Sequence, residues 1–309
     1  HFYVVWRQAT GNQISFANST DDGDSFHAAV NLAGGTSTAV DPQIAASNSR
    51  AYVVWHEDTS ILFKNSTSSG NFDFTAETLG TADAASAGAS LPQIAVSGSN
   101  VYSVWETSND VYFTNSTNDG DSFHTAVNLS NSGTAEIPQV TASGDNVYVI
   151  WHDTSASGKI YFRASTNKGD NFGPVTSLST TASVGKPQVI ASENSVYTIW
   201  EDSSTGSNGD IFFNSSVNNG LTFCNANNLS NDVGVSAIPQ LAVSGTDLYA
   251  SWRFDTTSVA TSEVYFKSGL VTTECVQFDL PQYRLSETAT ITVLAPSLNG
   301  VINTKAVNV

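Results

Sequence analysis

The chain has 309 residues, with 28 acidic side chains against 11 basic ones and a formal net charge of −17. That excess opposes binding to nucleic acid or to an anionic membrane surface, because both partners carry the same sign. No apolar run reaches the length of a membrane-spanning helix.

The first element is His1–Trp6, a run rich in β-branched and aromatic residues that closes on a Trp. The same mark returns at Trp55, Trp105, Trp151, Trp200 and Trp252, so all six tryptophans recur at intervals of 46 to 52 residues. Self-similarity at this period indicates a repeat architecture. The unit from Leu91 to Ser130 shows its content. Leu91–Ser97 predicts a strand, Gly98-Ser99-Asn100 a turn, and Val101–Trp105 a second strand. Val111–Asn115 and Ala126–Leu129 predict a third and a fourth. No segment carries the 3.6-residue apolar period of a long amphipathic helix. Four antiparallel strands per unit, six times over, predict an all-β fold: a six-bladed β-propeller of four-stranded blades. Tyr102, Trp105 and their counterparts are then expected to pack between blades.

The turn between the third and fourth strands has a pattern of its own. Ser19-Thr20-Asp21-Asp22-Gly23-Asp24-Ser25-Phe26 reads Ser-x-Asp-x-Gly-x-x-aromatic. With Asn for Asp it returns as Ser116, Asn118, Gly120 and Phe123; as Ser165, Asn167, Gly169 and Phe172; and as Ser216, Asn218, Gly220 and Phe223. The second unit is degenerate, with Ser68 at the acidic position and Phe74 one place late, and Ser268-Gly269-Leu270 leads to no such box in the sixth. In register with the tryptophans, these boxes resemble the Asp-box (BNR) repeats of sialidase-like propellers over roughly residues 2 to 280. Their physics is structural: the short polar side chain caps backbone N–H groups, Gly takes a positive φ, and the aromatic buries the hairpin. The cluster Asp21-Asp22-Gly23-Asp24 lacks the spacing and distal Glu of an EF-hand, so no metal is assigned to it.

Six Asn-x-Ser/Thr sequons stand at Asn18, Asn65, Asn115, Asn128, Asn214 and Asn228. Their places before the box or late in the fourth strand predict solvent access, and with it a glycosylated extracellular protein. Cys224 and Cys275 fall in the fifth and sixth units, where a disulfide would staple the repeat array near its end.

The unit that starts the chain opens on a second strand. Pro281-Gln282-Tyr283-Arg284-Leu285-Ser286 echoes Pro92–Ser97 in its Pro, Gln and Ser and is a candidate for the missing first strand. A competing reading uses Val276–Tyr283 and Ala289–Asn299, which resemble the opening strands of small β-sandwich domains repeated in archaeal surface proteins. Both readings divide the chain into a propeller, 1–286, and a C-terminal β arm, 287–309.

Chemistry is expected on the face opposite the boxes. Directly after each Trp stand Arg7, His56, Glu106, His152, Glu201 and Arg253, with Asp153 and Asp202 following two of them. The resemblance to sialidases implies an arginine cluster, an acid/base Asp and a Tyr–Glu nucleophile. Only five arginines exist, at 7, 50, 163, 253 and 284, and the Phe/Tyr-Arg-Ile-Pro motif is absent. General glycoside hydrolysis needs only two carboxylates, for which Glu106 and Glu201 are weak candidates. No Ser-His-Asp set, metal-spaced Cys/His cluster or phosphate loop is present, and no cofactor is assigned. The sequence alone therefore favours a non-enzymatic surface-layer or filament subunit whose arm binds copies of itself. A propeller that binds glycans or a surface protein, or a sialidase-like glycosidase, are the alternatives.

Overall fold

The computed structural model describes residues 1–9, 11–33, 38–47, 50–66, 71–72, 75–81, 90–155, 158–181, 183–204, 209–255, 262–271, 275–278 and 283–285. They form six antiparallel sheets and no α-helix. Sheet one holds β1 (Phe2–Arg7), β2 (Ile14–Ser19) and β3 (Val30–Ala33). Sheet two holds β4 (Ala39–Ser47), β5 (Arg50–Glu57), β6 (Ser60–Asn65) and β7 (Glu77–Thr81). Sheet three holds β8 (Ser90–Ser97), β9 (Asn100–Thr107), β10 (Asp110–Ser116) and β11 (Val127–Asn128). Sheet four follows with β12 (Ala135–Ser143), β13 (Asn146–Asp153), β14 (Lys159–Ser165) and β15 (Thr176–Ser177). Sheet five holds β16 (Val184–Ser192), β17 (Ser195–Asp202), β18 (Asp210–Ser216) and β19 (Asn227–Asn228). Sheet six has β20 (Val235–Ser244), β21 (Asp247–Asp255) and β22 (Ser262–Leu270), with β23 (Gln277–Phe278) and β24 (Tyr283–Leu285) both paired to β22. Within each sheet the strands run in chain order, and β4, β8, β12, β16 and β20 lie side by side as inner strands. The fold is a six-bladed β-propeller.

The alternation of residues along the second strands explains the packing. On β9, Tyr102 and Val104 face sheet four, while Val101 and Trp105 face sheet two. Each Trp thus fills the gap to the sheet before it, and Trp55, Trp105, Trp151, Trp200 and Trp252 are buried to 1% exposure or less. Five apolar cores result, one for each junction from sheets one and two to sheets five and six. Among the described residues no such core joins sheet six to sheet one, and Phe2 and Val4 on β1 are 52% and 43% exposed. Of the segment expected as the missing first strand, residues 283–285 pair with Val264–Phe266 on the outer side of sheet six, and Pro281, Gln282 and Ser286 lie outside the described residues.

The box turns have the expected local geometry. Ser19 Oγ donates to Asp21 Oδ1 (2.6 Å), Gly23 N donates to Ser19 Oγ (2.9 Å), and Ser25 N donates to Asp21 Oδ1 (3.0 Å). The arrangement recurs around Asn118, Asn167 and Asn218. The hydrogen bonds from Ser19 and Ser25 hold the Asp21 carboxyl well below the usual range. The box aromatic, however, packs edge-on against a Phe of the preceding sheet, not merely over its own hairpin. Phe123 meets Phe63 at 4.8 Å, Phe172 meets Phe113 at 4.9 Å, and Phe223 meets Phe162 at 4.9 Å. Phe72 and Phe278 make the same contact, with Phe16 and Phe213, in the two units whose boxes are degenerate or absent. Ser68 and Phe74 lie outside the described residues. Phe26, in the first box, is 46% exposed.

Scarce basic residues also join the blades. Lys64 Nζ donates to Leu32 O (3.0 Å), Arg163 Nη1 to Leu129 O (3.0 Å) and Lys267 Nζ to Leu229 O (2.8 Å), each reaching the preceding sheet. The Cys224–Cys275 disulfide links the fifth and sixth units.

Candidate active site

Every described inner strand enters the propeller through the same irregularity. Two residues of the inner strand oppose one Trp, shifting the register between Val40 and Gln43, Ser90 and Gln93, Glu136 and Gln139, Gly185 and Gln188, and Ala237 and Gln240. The first bulged residue is left-handed and precedes Pro: Asp41 (φ 52°), Leu91 (50°), Ile137 (52°), Lys186 (44°) and Ile238 (55°). A β-branched residue in this region is strained by about 1–3 kcal/mol. The bulge turns a backbone N–H away from the ladder, and that donor needs a partner.

Two of the post-Trp acids are that partner. Ile137 N donates to Glu106 Oε2 (3.4 Å) and Ile238 N to Glu201 Oε1 (2.6 Å), in each case from the following blade. Their surroundings differ in sign. Lys186 Nζ stands 3.2 Å from Glu201 Oε1. Near Glu106 the charged neighbour is Glu136. Burial pushes the Glu106 carboxyl above the usual range, the Ile137 N–H opposes the shift, and the Glu136 charge adds to it. Glu136 Oε1 in turn lies 2.9 Å from His152 Nδ1. The blades three and four thus bring together Glu106, Glu136 and His152. Glu136 escaped the sequence reading, which looked only after each Trp; its signal was an acid directly before the Ile137-Pro138 step.

The remaining candidates serve other ends. Arg7 donates to Asn12 Oδ1 (3.0 Å), His56 Nε2 lies 2.8 Å from Asp58 O, and Arg253 Nε is 2.9 Å from Asp255 Oδ2. Arg163 is committed to three main-chain carbonyls, so the arginine cluster of a sialidase site loses a member. Asp153 and Asp202 are 2% and 1% exposed and clasp the loops that follow them. Asp153 accepts from Thr134 Oγ1 (2.8 Å), Ser155 N (2.9 Å) and Ser155 Oγ (2.5 Å). Burial raises its pKa, but hydrogen bonds from Ser155, Ser132 and Thr134 outweigh that and hold it below the usual range. Asp202 accepts from Thr181 Oγ1, Ser204 N and Ser204 Oγ in the same way. Both carboxylates are consumed as loop caps, which corrects their candidacy for catalysis.

The solvent access expected of four sequons does not hold. Asn18, Asn65, Asn115 and Asn214 are 4–6% exposed. Asn65 Nδ2 donates to Asp119 O (2.7 Å) and Asn115 Nδ2 to Lys168 O (2.8 Å), each in the next blade's box. Asn128 and Asn228 are half-buried, with their Nδ2 atoms on Asp110 and Asp210. A groove of about 350 Å³ near the boxes of sheets four and five, lined by Phe172, Pro174 and Leu221 with the amides of Asn167, Asn171 and Asn219, holds no carboxylate. The chemistry-bearing groups stand on the opposite face.

No family model and no curated protein sequence matches this chain. Among solved structures, a protein of unknown function from Dyadobacter fermentans is 10% identical with a TM-score of 0.51, over 76% of this chain and 79% of that one. The GH93 alpha-L-arabinofuranosidase of Fusarium graminearum, in complex with arabinobiose, is 9% identical with a TM-score of 0.48, over 69% and 73%. A thermostable family-43 glycoside hydrolase is 12% identical with a TM-score of 0.44, over 80% and 95%. The named enzymes among these propellers are glycoside hydrolases, where the sequence had led us to expect a non-enzymatic surface-layer or filament subunit, and residues 287–309, which that expectation made the assembly arm, lie outside the described residues. At such identities the likeness is one of fold.

Proposed function

We propose that the protein is a glycoside hydrolase acting on neutral glycans, with Glu106 as its proton donor. The single observation behind this reading is the half-buried Glu106 carboxyl, kept protonated to higher pH by burial and by Glu136, on the face where the inner strands begin. A carboxyl raised by burial beside a second carboxyl is the kind of pair that glycoside hydrolysis uses. Glu106 would protonate the leaving glycosidic oxygen. Glu136, oriented by His152 at 2.9 Å, would serve the anomeric carbon through its carboxylate. Acid-sugar substrates are disfavoured because, among the described residues, Arg7, Arg163 and Arg253 each bind a neighbour of their own and form no cluster to receive a carboxylate. The disulfide agrees with an extracellular setting.

The test is sugar release from a panel of neutral substrates, arabinofuranosides included because the GH93 structure is named for them. Turnover by the native chain should fall by about 10²–10⁴-fold in Glu106→Gln, with Glu136→Gln also impaired and both variants folded. Activity that survives both substitutions, or no release from any substrate, overturns the assignment.

A further inference from the structure

We infer that the protein holds a neutral oligosaccharide at a second site, on the box face between blades four and five, by contacts that take no part in catalysis. Two grooves of about 350 Å³ and about 470 Å³ meet there, with Thr176 of β15 and Leu221 of the sheet-five box as shared walls. The first groove is lined by no ionisable side chain. The second has Asp202 alone, already saturated by Thr181 and Ser204. The site shares no residue with the Glu106–Glu136 pair, and it binds whether or not that pair hydrolyses.

Three repeated places of the propeller change at this joint. The residue after the box glycine is Asp24, Asp121 and Asp170 in sheets one, three and four, but Leu221 in sheet five, where it is 77% exposed. The box amide elsewhere spends its donor on a hydroxyl four residues on: Asn118 Nδ2 donates to Ser122 Oγ (3.0 Å) and Asn218 Nδ2 to Thr222 Oγ1 (2.8 Å). In sheet four that residue is Asn171, and Asn167 Nδ2 has no partner among the described residues. Asn219 Oδ1 accepts from Asn146 Nδ2 and Tyr148 OH, at 3.2 Å each, which fixes its amide on the groove wall and leaves Nδ2 unused. The third place is the basic tie between blades. Lys64, Arg163 and Lys267 each pair with the residue two before the Trp of their own sheet and reach a Leu carbonyl of the sheet before. In sheet five that place is Asn214, paired with Thr198. Among the described residues no Lys or Arg crosses to Leu178, the counterpart of Leu129 and Leu229, and both Asn214 and Leu178 line the second groove.

The charges found elsewhere in the repeat are thus replaced here by amides and by a leucine. What remains is a set of amide donors beside the apolar surfaces of Phe172, Pro174 and Leu221. A charged ligand would find no counter-charge among them. A purely apolar ligand would strand the amide donors of Asn167 and Asn219. A sugar chain suits both, because its hydroxyls accept from amides while its C–H faces lie on apolar side chains. Each groove has the size that holds a small organic ligand, so the two together suit several linked sugars.

Affinity electrophoresis of the full chain through native gels containing arabinan, xylan, galactomannan or dextran tests this, with polygalacturonate as the acidic control. Every sample carries Glu106→Gln, so that binding is read without hydrolysis. At least one neutral polymer should retard the protein, and polygalacturonate should not. Leu221→Asp gives sheet five the residue that three other boxes hold at that place, so the turn admits it, and it should weaken retention by about tenfold or more. Asn171→Ser supplies Asn167 Nδ2 with the hydroxyl partner its counterparts have and should weaken retention by a smaller factor. Retention unchanged by Leu221→Asp places the polymer elsewhere on the protein and overturns the inference. No retardation by any neutral polymer overturns it too, as does equal retardation by polygalacturonate.

Discussion

Replacing Gly169 by Ala probes the contact that joins one blade to the next. Gly169 sits in the box of sheet four at φ 85°, and a Cβ built there meets Phe113 Cζ of the preceding sheet at 2.5 Å and Cε1 at 2.8 Å. Phe113 is 1% exposed and already bears on Phe172 at 4.9 Å, so it has little room to retreat. The left-handed backbone alone costs an L-residue about 1–2 kcal/mol. Forcing a methyl into a filled core adds about 1–3 kcal/mol. Gly98 is the control: its φ is 61° and a Cβ there meets nothing within 4 Å. Gly98→Ala should therefore show only the backbone share, and Gly169→Ala should exceed it by about 1–3 kcal/mol. By thermal unfolding that excess is a further drop of about 2–6 °C in Tm, taking about 2 °C per kcal/mol for a large domain. Phe113→Leu, which removes the atoms struck, should recover part of the excess when combined with Gly169→Ala. Equal Tm losses at positions 98 and 169, or no recovery in the double variant, would refute the view that box glycines exist to admit the neighbouring Phe.

Replacing Cys224 and Cys275 by Ser opens a loop of sequence separation 51 and should lower stability by about 4 kcal/mol on the chain-entropy account, read as a denaturant midpoint against the oxidised protein. For Glu106, a pKa raised on folding means a contribution fully present below the unfolded carboxyl value and lost as pH rises through the folded one. Glu106→Gln should thus gain Tm relative to the native chain as pH is raised from 4 to 8, while losing turnover; a constant Tm difference would contradict the burial argument. Asn115→Ala leaves Lys168 O without its buried donor and should cost about 1–3 kcal/mol. Peptide mapping of protein from a glycosylating host should find Asn65 and Asn115 bare, and a glycan on either in folded protein would show that these amides are not buried.

The fold was legible because its marks are periodic and its physics local. A Trp every fifty residues must fill an inter-blade gap, and Ser-x-Asp/Asn-x-Gly closes a turn by hydrogen bonds within five residues. What the sequence hid were contacts between units. Phe72 and Phe278 take the box aromatic's place although neither box is intact, because the neighbouring Phe16 and Phe213 present the same flat faces. Sequons at Asn65 and Asn115 read as exposed since nothing in their own unit covers them; the next blade's box does. The site was half legible for the same reason. Glu106 stands in an obvious position after Trp105, but its raised pKa comes first from burial, with the Ile137 N–H opposing and the Glu136 charge adding, both from another blade. Asp153 and Asp202 looked available until the loop serines that saturate them were in place.

The basic residues that tie blades together have an effect beyond the joints themselves. Lys64, Arg163 and Lys267 point their charge at carbonyls of a neighbouring sheet, and burial pushes all three toward the neutral form. They are three of only 11 positive charges, so the outward field is set by the acids with little local compensation. Polyanions diffusing toward the propeller meet a barrier that fades over about 8 Å at physiological ionic strength. Cations and uncharged polymers meet none. Tying the blades with buried basic residues therefore also leaves the surface field to the acids, which acts at a distance and in a salt-dependent way on charged molecules that approach.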